Sequence, residues 1–467
     1  MVRQFPKQPE RPAVRTPRAD HGSRVAALGT QPVGRLLLTS STQTTLSVAT
    51  YGIYALTNAW FVSRGVGPLA LVGVNVVSPV LLVLGAVSTT VGVGGASMVS
   101  RSLGTGDLRR AARAAGNAFL AYWTVAIVFS VLGVLLLDPL LTLLGAAGRV
   151  RGYAHDYALI LFAGAITATG FSSLVRAEGR LRFSTVLWMV PVVCQIVLDP
   201  LLIFGLGLGV RGAALGTVGG QAVSMGLSLW FFFVQRDRPY RITLADLRPH
   251  GPTLRELVAL GSPSFLSGFG NSLVLSLVNN RLAGLGGPAA MSAYATCSRI
   301  GTFVLMPQLG ISQGMQPLIG YNVGRGLTAR ADRIRTLALR ATTVYGTAAC
   351  LVLLIAAGPL AASFTDDPQV RRATVEAMRI IALSYPLTGV TSLLSAYFQA
   401  TGRARPSYLI SVGSIMGIRL PLLFVLSLFG TLWLWIGFPA AELVAATVAL
   451  LVLRRGRPSG PHPRGAP

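Results

Sequence analysis

The chain has 467 residues, of which 52% are hydrophobic and only 12% charged, with a formal net charge of +25. A soluble globular chain carries about twice that charged fraction, so an ordinary water-soluble enzyme is excluded. The apolar residues suffice for roughly twelve membrane spans of about 20 residues each, and no long polar stretch remains to house a nucleotide-binding domain.

Taken in chain order, residues 1–35 are rich in Pro, Arg and Gln and read as a disordered basic cytoplasmic tail. No short apolar segment closely follows the basic start, so no secretory signal is expected. Apolar runs then alternate with short polar turns. The predicted spans are 36–63, 69–98, 114–142, 155–175, 185–208, 212–234, 256–283, 289–319, 338–363, 376–400, 406–429 and 431–453. Backbone groups in hydrocarbon must be satisfied within their own segment, so each span is a helix. The expected fold is all-α and integral to the membrane, with twelve transmembrane helices. A six-helix lobe covers 36–234, a cytoplasmic inter-lobe loop 235–255, a second six-helix lobe 256–453 and a cytoplasmic tail 454–467.

Arginine sets the orientation. With the N-terminus inside, thirty basic residues fall on inner segments. The outer loops hold seven: Arg64, Arg149, Arg151, Arg211, Arg281, Arg371 and Arg372. This asymmetry predicts a multi-pass protein of a bacterial plasma membrane with both termini in the cytoplasm. The basic residues sit in short loops without interleaved aromatics, so no nucleic-acid partner is expected. Cys194, Cys297 and Cys350 lie in apolar runs without CxxC spacing and read as small apolar fillers. His21, His155, His250 and His462 have no metal-ligand spacing. No Ser-His-Asp set, HExxH motif or paired intramembrane aspartates is present, so no enzymatic activity is expected.

The chain repeats itself. At a shift of 220 residues, Gly67-Pro68 falls on Gly287-Pro288, Gly94 on Gly314, Gly104 on Gly324 and Gly106 on Gly326. Residues 67–113 give ten identities in 47 positions, against roughly four expected by composition. At a shift of 223, Ala177, Gly179, Arg180, Arg182 and Ser184 fall on Ala400, Gly402, Arg403, Arg405 and Ser407. Each repeat holds six helices, so the lobes enter the membrane in the same sense. A pseudo-two-fold axis along the membrane normal should relate them.

Acidic residues inside a membrane are costly and are functional candidates by default. Asp199 lies well inside span five and Glu442 within span twelve, whereas Glu256 and Glu376 lie at helix starts. Pro200 follows Asp199 and frees the carbonyl of Ile196, so an unwound turn beside the carboxylate is expected as a cation or proton site. Gln195 shares the helix face of Asp199. Span one carries Ser40, Ser41, Thr42, Gln43, Thr44, Thr45, Ser47, Thr50, Tyr54, Thr57 and Asn58, and reads as cavity lining. Span seven offers a similar face with Asn271, and span eight adds Gln308, Gln313 and Gln316. We take Tyr54, Asn271, Gln313 and Gln316 as substrate-cavity candidates. Gly207, Gly209 and Gly212 spell GxGxxG, but no strand–turn–helix surrounds them and no dinucleotide site is expected. Gly212, Gly216 and Gly220 form overlapping GxxxG steps suited to close helix packing.

Several stretches, in order along 36–453, resemble the multidrug and toxic compound extrusion (MATE) family in a prokaryotic branch. They are GVGGASMVSRSLGTGD (92–107), RAEG (176–179), LDPLLIFGLGLGVRGAALGTV (198–218), MPQLGISQGMQPLIGYNVGRG (306–326) and SAYFQATGRARPS (395–407). The resemblance implies two six-helix lobes and export of small amphiphilic, often cationic compounds in exchange for protons or sodium. It also implies a cation-coupling site at Asn58, Gln195, Asp199 and Thr217. Asn58 stands where the family carries aspartate and Gln195 where it carries asparagine, leaving one carboxylate instead of a pair. No further cofactor is expected. Beyond small organic substrates and the lipid bilayer no partner is expected, and the chain is expected to be a monomer. The alternative is a lipid-linked precursor flippase, which needs a basic cavity; Arg299 and Arg419 are its only strong candidates.

Overall fold

A computed structural model describes residues 19–168, 171–285 and 287–455. Every regular element among them is helical. The first half contains α1 (Ala19–Thr30), α2 (Val33–Gly65), α3 (Pro68–Thr105), α4 (Leu108–Leu135), α5 (Leu137–Leu143), α6 (Gly148–Ala163), α7 (Ser172–Ala177), α8 (Leu181–Pro200) and α9 (Gly209–Leu229). After the non-helical residues 235–250 come α10 (Gly251–Leu285), α11 (Gly287–Gly324), α12 (Thr328–Phe364), α13 (Pro368–Ala382), α14 (Tyr385–Ala400), α15 (Ala404–Ser414), α16 (Leu420–Ser427) and α17 (Thr431–Arg455).

These helices make twelve membrane passes. α6 with α7, α13 with α14, and α15 with α16 each form one pass, and α2, α3, α4, α8, α9, α10, α11, α12 and α17 supply the rest. Seven uninterrupted helices are long and apolar enough to cross, and two bent pairs raise the number to nine. The other three, α2, α10 and α11, are 33, 35 and 38 residues long but carry the Ser, Thr, Asn and Gln noted above. All three pack against the opposite lobe, α2 on α11 and α10 on α3. The bend of 48° between α13 and α14 occurs where Pro386 follows Tyr385. There the amides of Leu383 and Ser384 donate three residues back, to Ile380 and Ile381.

The duplication is visible in the backbone. Gly106 and Gly326, related by 220 residues, both end their helices at φ 78°, as do Gly179 and Gly402, related by 223. Only glycine adopts that conformation without strain. The lobe contacts are also exchanged by the repeat: α2 packs on α11 and α3 on α10, while α3 and α11 cross each other. The axis therefore passes between α3 and α11. Their crossing is reciprocal. A Cβ on Gly104 would strike the Tyr321 carbonyl, and one on Gly324 the Arg101 carbonyl, and Arg101 and Tyr321 are themselves related by 220 residues.

One buried apolar cluster unites both lobes at the arginine-rich end, from Leu28, Leu103 and Ala111 to Leu318, Ile334 and Phe398. At the opposite end the apolar clusters separate. One is confined to the first lobe, around Val62, Val77 and Leu161. The other is confined to the second, around Val278, Leu353 and Leu434. The lobes thus join at the basic end and diverge at the other. Arg101 on α3 and Arg110 on α4 bind opposite oxygens of Glu256 on α10, at 2.9 and 3.1 Å, across the joined end.

Several sequence expectations change. Residues 1–18 and 456–467 lie outside the described residues, but Ala19–Thr30, expected to belong to an unstructured tail, form α1. Leu28 is buried in the joint cluster, and Asn322 Nδ2 donates to its carbonyl at 3.0 Å. This apolar anchor offsets the polarity of the surrounding sequence. The predicted third span breaks at Leu136, giving the short α5. The inter-lobe segment is tied to the first lobe. The Arg238 guanidinium grips both oxygens of the buried Glu178 and donates to the Phe232 carbonyl at 2.7 Å. It also lies 4.4 Å over the Phe232 ring and 4.7 Å over Tyr240. Burial pushes the Tyr240 phenol well above its ordinary range. Asn117 completes the attachment, donating to the carbonyls of Asp246 and Arg248 and accepting from the His250 amide.

Candidate functional site

Asp199 is fully buried near the end of α8. One face of its carboxyl accepts a hydrogen bond from Gln195 Nε2 at 3.0 Å, the i,i+4 geometry that the helix dictates. Its other oxygen, Oδ1, has no hydrogen-bond partner among the described residues, and Asp199 is in no ion pair among them. Gly216 on α9 makes the space for that oxygen, because a Cβ there would strike it. The next residue, Thr217, is buried and lies 3.4 Å from the Tyr54 hydroxyl of α2.

α2 runs alongside α8. Thr185 Oγ1 donates to the Gln43 carbonyl, and a Cβ on Gly65 would strike Ile203. This register brings Asn58 to the depth of Asp199, where it is buried with its Nδ2 unpartnered. Between α2, α8 and α9 the structure thus joins Gln195 to Asp199 and Tyr54 to Thr217, with Asn58 buried four residues beyond Tyr54 on α2. The turn beyond Pro200 is not unwound as expected. Leu201–Gly205 form a π-helical turn, which keeps backbone hydrogen bonds while shifting side-chain direction by the extra residue. The arrangement offers one uncompensated carboxylate oxygen, an unpartnered Gln195 Oε1 and a threonine hydroxyl. These are hard oxygen donors suited to a proton or a small monovalent cation.

The remaining candidates are placed differently. Gln316 Nε2 donates to Gln399 Oε1 at 3.0 Å, and Gln399 Nε2 to Ser264 Oγ at 2.9 Å. Gln313 accepts from Arg176 across the lobes at 3.4 Å. Gln313 thus belongs to the layer that joins the lobes, and Gln316 to a polar chain within the second lobe. Asn271 is exposed on α10 and accepts from Arg419 at 3.4 Å. The polar run of α2 also departs from the cavity-lining expectation in its first half. Ser40, Ser41, Thr44, Ser47 and Thr50 are buried. Thr44, Ser47 and Thr50 return hydrogen bonds to carbonyls four residues back. Ser40 and Thr45 face Gly314 and Gly310 of α11 so closely that a Cβ would not fit. Small polar side chains here serve close approach of two backbones.

Sequence reasoning missed two residues of the joining layer, Arg176 and Gln399. They are related by the 223-residue shift, which was signal enough to pair them. Arg176 is buried and donates to Ser173 Oγ and Gln313 Oε1, and it is in no ion pair among the described residues. The two arginines proposed for a flippase's basic cavity stand in different surroundings. Arg299 is exposed on α11, and Arg419 is paired with Glu442 at 2.5 Å.

Comparison with known proteins agrees with this architecture. Residues 44–201 and 263–425 match the family described as MatE. The chain is 28% identical over 406 residues to the multidrug export protein MepA of Staphylococcus haemolyticus, covering 86% of this chain and 89% of that protein. It is 26% identical over 399 residues to an FAD transporter of Shewanella oneidensis, covering 84% and 87%. A crystal structure of MATE in the bent conformation superposes with a TM-score of 0.87 at 24% identity, covering 92% of this chain and 97% of that one. The outward-facing conformation of a multidrug resistance MATE family transporter gives 0.85 over the same shares. With the family match spanning both lobes, and with two six-helix halves joined at one end, this multi-pass membrane protein belongs to the MATE family of transporters.

Proposed function

We propose that the protein is a secondary active exporter of small amphiphilic, cationic organic compounds, driven by inward flow of protons or sodium. The observation that carries this reading is the buried Asp199 carboxylate, which has no cationic partner among the described residues. A charge that deep requires compensation, and an ion from solution supplies it. The name of the MepA relative supports organic compounds as cargo. The basic, joined end is the cytoplasmic one, as the distribution of arginine favours, so the cleft opens outward. Loading Asp199 biases the lobes toward one arrangement by binding the two arrangements unequally. The conformational change then moves substrate from the inner side to the outer side.

The test uses purified protein in liposomes with a fluorescent lipophilic cation. Transport should follow a pH gradient or a sodium gradient, and the gradient that works names the ion. Asp199→Asn should abolish the gradient-driven component while leaving the protein folded. Equal rates with and without both gradients in the unaltered protein would overturn ion coupling.

A further inference from the structure

The second lobe also buries a carboxylate, but it supplies the counter-charge itself. Glu442 on α17 binds Arg419 Nη2 through Oε1 at 2.5 Å, and their side chains are 9% and 17% exposed. Arg419 Nη1 also reaches Asn271 Oδ1 of α10 at 3.4 Å. Glu442 Oε2 and Arg419 Nε have no hydrogen-bond partner among the described residues. No other side chain among them forms an ion pair with either group.

The position is the repeat's equivalent of the Asp199 site. The 223-residue shift puts Gln195 on Ile418 and Gly219 on Glu442. Asp199 bridges the fifth and sixth helices of its lobe, reaching Gly216. The Arg419–Glu442 pair bridges the fifth and sixth passes of the other lobe, within about one helical turn of the equivalent depth. The backbones agree as well. Leu201–Gly205 form a π turn directly after Pro200, and Ile415–Arg419 form one that ends two residues before Pro421. Arg419 is the last residue of its π turn, the kind of local widening that re-aims a side chain.

We propose that Arg419 is a tethered cation occupying the second lobe's monovalent-cation site, so that Glu442 is compensated from within the chain and only Asp199 draws an ion from solution. This rests on the reading of Asp199 given above. It means that the two lobes carry comparable carboxylates but unequal roles. One ion is exchanged per cycle, and the second lobe's charge pair stays fixed. Removing the guanidinium should open a second site for a proton or sodium at Glu442.

The experiment counts ions on purified full-length protein, with radioactive sodium in one arm and proton uptake in weakly buffered solution in the other. Asp199→Asn should lose one equivalent relative to the unaltered protein. Adding Arg419→Met to Asp199→Asn should restore one equivalent, and adding Glu442→Gln to that pair should remove it again. The arm that registers the gain identifies the ion. A folded Asp199→Asn/Arg419→Met protein that binds no more ions than Asp199→Asn would overturn the proposal. If Arg419→Met folds only at low pH or high sodium, while Arg419→Gln/Glu442→Gln folds without either, the proposal is supported by that requirement. Failure of Arg419→Met under every condition, with the neutral pair folding, would contradict it. Equal ion counts in the unaltered protein and Asp199→Asn would refute the role of Asp199, while the comparison of Asp199→Asn with and without Arg419→Met still reads Glu442.

Discussion

At the scale of single residues, the first lobe depends on what Asp199 lacks. Gln195 supplies one hydrogen bond to its carboxyl, and a bond to a charged acceptor contributes about 1.5–3 kcal/mol. Gln195→Leu should therefore shift the ion concentration for half-maximal transport by about tenfold or more, measured as rate against pH or sodium. An unchanged midpoint would remove Gln195 from the site. A second residue-scale prediction concerns stability. Arg238 and Glu178 are both buried and paired, so truncating one partner leaves a charge stranded at a cost of about 3–5 kcal/mol. Arg238→Ala should lower the thermal unfolding midpoint clearly, whereas Arg238→Met with Glu178→Gln should recover most of the loss. Gln195 and Asp199 were legible in the sequence because helix spacing placed them on one face, whereas Thr217 was named by the family resemblance alone. Arg238 and Glu178 were not legible. They stand 60 residues apart, and only the folding of the inter-lobe segment onto α4 and the end of α9 brings them together.

At the scale of elements, the crossing of α3 and α11 decides how the lobes join. Gly104 and Gly324 each face a backbone carbonyl of the other helix with no room for a methyl group. Overpacking of that kind costs typically about 1–3 kcal/mol, and here it falls on the joined arrangement. Gly104→Val or Gly324→Val should shift the population toward the arrangement open at the basic end. A cysteine at Ser97, which donates across the lobes to the Gln399 carbonyl, should then react faster with a water-soluble maleimide. Unchanged reactivity in both variants would contradict this role of the crossing. Glu256→Gln should act in the same direction, by weakening its bonds to Arg101 and Arg110, but less strongly because these side chains are partly exposed. The duplication foretold the glycine pairs, since Gly104 and Gly324 align in the sequence. It did not foretell that they meet. Likewise the polarity of α2 marked it as no lipid-facing helix, but periodicity cannot separate a cavity wall from a tight helix pair. Ser40 and Thr45 proved to belong to the tight pair.

At the scale of the whole molecule, two similar halves have been given different electrostatics. Composition was enough to fix the class, and hydropathy with the repeat was enough for twelve passes in two lobes. Which end is joined follows only from tertiary packing, because the clusters around Val77 and Val278 are as apolar as the joint cluster and differ only in what they face. The central claim is that occupancy of Asp199 sets the arrangement of the lobes. The most direct measurement is the distance between spin labels at Leu143 and Phe364, exposed positions in the diverging end of each lobe, in a background where the three cysteines are replaced by serine. The distance distribution should change with pH or sodium in the otherwise unaltered protein and stay fixed in Asp199→Asn. An identical change in both proteins would contradict the claim.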